Sequence, residues 1–371
     1  MVIRGDRLDK PTYKIIQTIL EGNTAVCYKC WHEIFKRHCV QKTISLLGVT
    51  DALAYHEPQL LKDLNHPHLT EVWEAQWDPD FGDKAVTFTM PYYEGGSLHS
   101  ILMTDRRLSL GEAISLTCHV LDALHFLHVE RQIVHRDVKP GNIFLSGGAT
   151  AAYLGDLGCA APVDEIGATF SGGTPLYRAP ESKSGTYTPQ SDLYSLGLVL
   201  LEMVGGRFKY EEISQEDVHQ RLEEGRRALA GRHLKAPVHA PDPLARVIGK
   251  MLDPNPDSRP RSALEAQRAL QNIVHLNWRP VSLEEPWSWV GEAVPTGRNQ
   301  SAKDVEVEAR RIARGVEAGK IKLSARWRYR DAYKWRGMNS LEKRVDLNDQ
   351  AAWRAFFRSV STAVLQASAR R

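Results

Sequence analysis

Apolar and polar positions change period several times along the chain, and the changes mark its elements. Tyr13 to Ser45 reads as strands separated by turn signals, with His38 to Ile44 among them. Val86 to Leu98 reads as a strand, a linker and a turn at Gly95-Gly96. Ser109-Leu110-Gly111-Glu112 is a capping-box pattern that opens a helix to about Glu130, with Ile114, Thr117, Leu121, Leu124 and Leu127 recurring at helical spacing. A second, very apolar helix runs from Ser191 to about Val204, and a further capping box spans Ser262 to Glu265. Val281 to Gly297, rich in Pro, Trp and Glu, reads as a linker. Ser301 to Asp304 is expected to begin a helix with apolar positions 305, 309, 312, 313 and 316. Ile321, Leu323, Ala325, Trp327 and Tyr329 then alternate with Lys322, Ser324, Arg326, Arg328 and Arg330, which predicts a strand with one basic face. Asp349 to Gln366 reads as a final amphipathic helix.

Composition narrows the class. A hydrophobic fraction of 42% with 25% charged residues is ordinary for a globular chain and gives no sign of disorder. The longest apolar run, Leu196 to Val204, contains Glu202 and is too short to span a bilayer, and Met1 to Asp6 is a mixed polar opening. The expectation is a soluble, cytoplasmic protein without a membrane partner. Five cysteines make no disulfide framework in a chain of this size. Cys27, Cys30, His32, His38 and Cys39 could ligate zinc, but residues three apart on a strand face opposite ways, so packing is the preferred reading. Cys118 and His119 are likewise read as packing residues. The net charge of +3 is uneven: from Gly297 to Arg371 there are 18 lysines and arginines against 8 carboxylates, and the preceding residues carry 30 against 37. Two segments with different partners are implied.

The candidate chemistry lies between Ile133 and Glu181. Ile133-Val134 lead into a polar loop, His135-Arg136-Asp137-Val138-Lys139-Pro140-Gly141-Asn142, and Ile143-Phe144 lead out. A second carboxylate follows in Gly155-Asp156-Leu157-Gly158, and then Gly173 to Glu181. Phosphoryl transfer needs such an inventory: a carboxylate for the nucleophile's proton, ligands for Mg²⁺, and a cation facing the developing charge. His135-Arg136-Asp137, Asp156-Leu157-Gly158 and Ala179-Pro180-Glu181, in this order and spacing, resemble the eukaryotic-type (Hanks-type) protein kinases. Lys139, two residues after Asp137, places the resemblance with the Ser/Thr branch.

The resemblance implies an α+β, bilobal fold over residues 10–276, with a β-rich N-lobe to about 91 and a helical C-lobe from about 94. A linker over 277–300 and a small basic α/β module over 301–371 would follow. It also implies ATP and Mg²⁺ as cofactors and protein hydroxyls as substrates. Asp137 would be the base and aligner, Lys139 the partner of the γ-phosphate, and Asn142 and Asp156 the Mg²⁺ ligands. Lys42 with Glu57 would anchor the phosphates beneath a lid in which only Gly22 occupies a glycine position. Met90 would stand behind the adenine, with Pro91 to Tyr93 as the hinge. Thr169 and Ser171 are candidate phosphosites for Arg136 to meet. Thr174 would be a structural hydroxyl near Asp137, Asp192 would hold the catalytic-loop backbone, and Arg259 would pair with Glu181. Leu157, where most relatives carry Phe, would pack against Leu61.

Some residues depart from the family pattern. The eroded glycine loop, Pro58 directly after Glu57, and Pro91 in the hinge also fit a pseudokinase that binds nucleotide without turnover. Pro58 requires that its helix begin near His56 or kink. The resemblance ends near His275. Beyond it, Trp278-Arg279, Trp327-Arg328, Trp335-Arg336 and Trp353-Arg354 interleave rings with cations. The preferred reading is a small module that docks an acidic partner, a substrate or the kinase lobe itself, with a nucleic-acid surface and a purely structural role as the alternatives.

Overall fold

A computed structural model describes residues 12–21, 25–45, 60, 62–78, 82–163, 174–293 and 302–369. The N-terminal lobe is an antiparallel sheet of five strands: β1 (Tyr13–Glu21), β2 (Ala25–His32), β3 (Arg37–Ser45), β4 (Glu74–Asp78) and β5 (Gly82–Pro91), in the order β1-β2-β3-β5-β4. Lys42 on β3 stands opposite Phe88 on β5, and Val40 opposite Met90. The chain crosses to the second lobe after Pro91, and Gly95 sits so close to that lobe that a Cβ there would lie 2.3 Å from the Ser146 carbonyl oxygen.

The C-terminal lobe is helical. After the short α1 (Leu98–Leu102), α2 (Leu110–His125) begins at a complete capping box and continues as a wider turn over Phe126–Glu130. Ser109 Oγ accepts from the Glu112 N–H, and the Glu112 carboxylate accepts from the Ser109 N–H at 2.7 Å. Short strands β6 (Ile133–Val134), β7 (Ile143–Leu145), β8 (Ala152–Leu154) and β9 (Ala161–Pro162) flank the polar loop. Helix α3 (Pro189–Gly205) is buried along most of its length, which is why its sequence shows almost no polar face. Helices α4 (Gln215–Glu223), α5 (Asp242–Met251) and α6 (Ala263–Gln271) complete the lobe.

The remaining chain forms a sheet under one helix, and here two expectations are corrected. The region expected to be a linker contains β10 (Arg279–Ser282) and β11 (Trp287–Ala293). Trp289, Gly291 and Ala293 alternate inward, a period-two pattern hidden by the Pro- and Trp-rich composition. The segment from Ser301, expected to be helical, is instead β12 (Lys303–Arg311). Val305, Val307 and Ala309 are buried and alternate with Glu306, Glu308 and Arg310. Strand β13 (Ile321–Tyr329) follows the expected alternation, and β14 (Arg336–Gly337) and β15 (Lys343–Val345) both pair with it. Helix α7 (Gln350–Ala369) contributes Trp353, Phe356, Phe357 and Val360 to the core.

This unit is continuous with the C-terminal lobe. Trp278 is fully buried and meets Phe357 edge-on at 5.2 Å. Its carbonyl accepts from the Leu110 N–H at 2.8 Å, and Asn277 Oδ1 accepts from the Gly111 N–H at 2.7 Å. Two first-turn donors of α2, which have no partner inside the helix, are thereby satisfied. Gly291 faces the Trp278 ring, where a Cβ would lie 2.7 Å from a ring carbon. The basic face of β13 also finds partners within the sheet: Arg326 pairs with Glu306, Arg328 with Asp304, and Arg330 with Asp304 and Glu292. Trp327, on the face of β13 that carries Ile321 and Leu323, is only half-buried, with Arg336 over its ring at 5.2 Å. Among the described residues no helix is long and apolar enough to cross a membrane.

Candidate active site

The polar loop between β6 and β7 hangs from a single buried carboxylate. Asp192, near the start of α3, accepts from the backbone N–H groups of His135 (2.8 Å) and Arg136 (2.9 Å) and is bonded to His128 Nε2 at 2.8 Å. Burial would raise its pKa, but the bond and charge of His128, with the loop donors, hold it below the usual carboxylate value. Arg136 takes a left-handed conformation with φ 68°, and its guanidinium lies 5.3 Å from the Tyr187 ring. His135 bridges onward, with Nε2 3.1 Å from the Gly155 carbonyl oxygen. His128 was not singled out from the sequence, because its partner lies 64 positions away.

Asp137 stands at the centre. Its Oδ2 accepts from Lys139 Nζ at 2.6 Å and from Asn142 Nδ2 at 2.9 Å, and its Oδ1 accepts from the Thr174 N–H at 2.9 Å. Thr174 thus reaches the carboxylate through its backbone amide, where the sequence reading assigned its hydroxyl. Asn142 Nδ2 also donates to the Asp137 carbonyl. Both bonds use the amide nitrogen, which leaves the Asn142 side-chain oxygen for another partner.

Asp156 follows β8 with φ 62°, a left-handed conformation that few non-glycine residues adopt. Its Oδ1 accepts from Lys42 Nζ at 2.9 Å across the cleft between the lobes. Burial raises the Asp156 pKa, but Lys42, Lys139 and His135 outweigh it, so the carboxyl is held below its usual value and ionised. An ionised carboxylate and an amide oxygen are the hard oxygen donors that Mg²⁺ prefers, so this pair fits that ion. Leu157 is fully buried behind them.

Met90 is half-buried at the end of β5, and Pro91 closes the strand. Tyr93 stacks on Phe144 (5.7 Å) and lies tilted against Tyr153 (4.4 Å), and burial pushes its phenol up to about 12. These rings fix the segment where the chain changes lobes. Gly22, Glu57, Thr169 and Ser171, together with Pro58 and Leu61, lie outside the described residues.

Below the loop, Arg259 is buried and grips Glu181 through two bonds of 2.6 and 2.7 Å, while also donating to the Asp253 and Gln190 carbonyls. A second buried carboxylate, Glu202 on α3, accepts from Tyr177 OH at 2.7 Å, from the Phe208 N–H at 3.0 Å, and from Tyr210 OH. Its signal in the sequence was a lone acid inside the longest apolar run.

Comparison with known proteins agrees with this geometry. A family model described as the protein kinase domain matches residues 13–275. The chain is 34% identical over 242 residues to serine/threonine-protein kinase PkaA of Streptomyces coelicolor, covering 62% of this chain and 42% of that protein. It is 29% identical over 254 residues to serine/threonine-protein kinase Nek5 of Mus musculus, covering 67% of this chain and 38% of that protein. The matches to a plant kinase of the WNK group and to atg1 of Dictyostelium discoideum have similar identity, 29% and 31%. The matched stretch spans less than half the length of each of these relatives. A two-lobed fold, a loop held by Asp192, and an Asp137–Lys139–Asn142 cluster facing Asp156 and Lys42 accompany a match over most of the sequence. The chain belongs to the Hanks-type Ser/Thr protein kinase family.

Proposed function

We propose that the chain transfers the ATP γ-phosphate to serine or threonine hydroxyls of protein substrates. The observation that carries this reading is the bonding of Asp137, whose two oxygens are oriented by Lys139, Asn142 and the Thr174 amide opposite the Lys42–Asp156 pair. Asp137 aligns the substrate hydroxyl and takes its proton. Lys139 exchanges its contact with Asp137 for the transferring phosphoryl group. Lys42 holds the α- and β-phosphates, with Glu57 as its expected anchor, and Gly22 lies in the loop above them. The Pro91 carbonyl and Tyr93 N–H receive the adenine beside Met90. Asn142 and Asp156 hold Mg²⁺, which when bound neutralises charge on the phosphates. Most of the catalysis comes from positioning and charge stabilisation, because the reaction needs little covalent help.

The test is incorporation of labelled phosphate into myelin basic protein by purified protein with Mg²⁺-ATP. Asp137→Asn should abolish incorporation and leave nucleotide affinity nearly unchanged, whereas Asp156→Asn should weaken Mg²⁺-ATP binding itself. Nucleotide binding without incorporation by the unmodified protein would replace this reading with the pseudokinase. Thr169 or Ser171 is the proposed autophosphorylation site, whose phosphate would meet Arg136; mass spectrometry of active protein decides it.

For the C-terminal unit, the cross-strand partners of Arg326, Arg328 and Arg330 favour a structural role in the C-lobe over docking of an acidic partner or nucleic acid. Binding of the full chain to RNA or DNA that weakens steeply with salt would reverse that preference. The proposed place of action is the cytoplasm.

A further inference from the structure

The cysteines and histidines clustered in the N-terminal lobe are sorted by the sheet. Strands β2 and β3 pair with Cys30 directly opposite Cys39, so both side chains stand on one face, while Cys27 opposes Lys42 on the other. Cys30 and Cys39 are fully buried. Cys39 Sγ donates to the Cys30 carbonyl at 3.7 Å, and Cys30 Sγ donates to Gln41 Oε1 at 3.4 Å. The Cys39 thiol also lies within hydrogen-bonding reach of the Cys30 sulfur. Opposed residues of an antiparallel pair have Cα atoms about 4.5–5.5 Å apart, inside the span of about 4.4–6.8 Å that a disulfide bridges. An S–S bond can therefore join β2 to β3 with the backbone where it is.

The two sulfurs are not equivalent. The bond from Cys39, with one from the Gln41 backbone, holds the Cys30 thiol below its ordinary pKa against the effect of burial, whereas the Cys39 thiol is pushed up. Cys30 is thus the one that ionises first, and the thiolate is the reactive form. A readily ionised thiol beside a second thiol is the arrangement of a peroxide-sensitive cysteine and its resolving partner. The strand next to Cys30 is irregular. Ile15 of β1 lies opposite Cys30, Gln17 already pairs with Lys29, and Ile16 between them has no counterpart on β2. Ile15 and Ile16 are exposed, and β1 is the outermost strand of its sheet. Local opening of that bulged edge admits a molecule as small as hydrogen peroxide.

We infer that Cys30 and Cys39 form a modification site, a dithiol that hydrogen peroxide oxidises to an intrachain disulfide between β2 and β3. The Cys30 thiolate attacks one peroxide oxygen. The O–O bond breaks, an S–O bond forms, and the departing hydroxide takes up a proton to become water. The Cys39 sulfur then displaces the hydroxyl from the Cys30 sulfur, forming the S–S bond, and its proton leaves with that hydroxyl as a second water. The two thiols are oxidised together, and the peroxide is reduced to two waters.

The test is to treat the folded full chain with hydrogen peroxide, block the remaining thiols in denaturant, and map the digested chain by mass spectrometry without reductant. The expected product is a peptide pair joined through Cys30 and Cys39, with two of the five thiols lost and both restored by dithiothreitol. Cys39→Ser should halt the reaction at the Cys30 sulfenic acid, captured by dimedone, and Cys30→Ser should leave Cys39 reduced at the same dose. The proposal is overturned if Cys30 and Cys39 stay reduced at doses that oxidise the partly exposed Cys27 and Cys159, which is the result a merely packed pair would give. It is overturned equally if either cysteine forms its disulfide elsewhere, or if Cys39 oxidises as readily in Cys30→Ser. The linked-peptide measurement on the unmodified chain decides the matter even where a serine variant fails to fold.

Discussion

Asp192→Asn is the sharpest test of how the catalytic loop is held. In the native protein Oδ2 faces two partners, the His135 N–H and His128 Nε2, and Oδ1 faces the Arg136 N–H. An amide of the same shape keeps one accepting oxygen and turns a donor toward groups that already donate. At least one buried N–H then loses its acceptor, at about 1–3 kcal/mol, and the bonds that remain lose the assistance of a charge. The expected destabilisation is about 3 kcal/mol, read as a lower urea midpoint with an unchanged slope. Asp137 is carried on the same loop, so kcat should fall at least about tenfold while KM for ATP changes much less. The pH dependence gives a second readout. Because the folded-state pKa of Asp192 is depressed, its stabilisation is present above the unfolded value of about 4 and is lost as pH falls through the folded value. The variant should lack that acid-sensitive contribution. An unmoved urea midpoint together with parental kcat would refute the idea that Asp192 suspends the loop.

Three further outcomes follow from buried groups. Arg259→Met should cost about 3–5 kcal/mol, since it leaves Glu181 uncompensated, and adding Glu181→Gln should recover part of it; strict additivity in a double-mutant cycle would deny the coupling. Burial raises the Glu202 pKa despite its bonds from Tyr210 and Tyr177, so its contribution is complete below the unfolded value of about 4.3 and declines as pH rises through the folded value. Glu202→Gln should therefore lose less stability than the parent as pH rises above the unfolded value, and equal slopes would count against this. Gly291→Ala should cost about 1–3 kcal/mol by forcing a methyl into the Trp278 ring, visible as a changed near-ultraviolet signal; full stability would show that the ring moves aside freely.

The catalytic loop was legible because its chemistry is written in adjacent residues. Asp137, Lys139 and Asn142 fall within six positions, and the bonds among them are local. Two helices announced themselves through cap patterns at Ser109 and Ser262: the box closes fully at Ser109, whereas at Ser262 the hydroxyl accepts from the Glu265 N–H and the Glu265 carboxylate accepts from the Arg261 N–H instead. Strand β12 was misread because positions 305 and 309 fit both a helix and a strand, and Val307 between them was given no weight. The pairing of the charges on β13 was illegible for a different reason. Whether Arg326 and Arg328 are free or paired depends on the register with Glu306 and Asp304, about twenty residues upstream, and register is a property of the assembled sheet. His128 was invisible in the same way, since nothing near it in the chain calls for a bond to α3.

The hydrogen bonds that Asn277 and Trp278 make to the start of α2 bear on where this protein can be divided. Family likeness ends at His275, yet the next few residues supply acceptors for two main-chain donors of a central helix and a ring that fills the space beside it. A chain cut at the family boundary would keep every residue of the catalytic loop and expose the end of the helix on which that lobe is assembled. The boundary inherited from sequence likeness and the boundary of cooperative unfolding should therefore differ, with the second lying beyond α7. Borrowing this kinase as a module for fusion or transplantation would mean taking the extra sheet along with it.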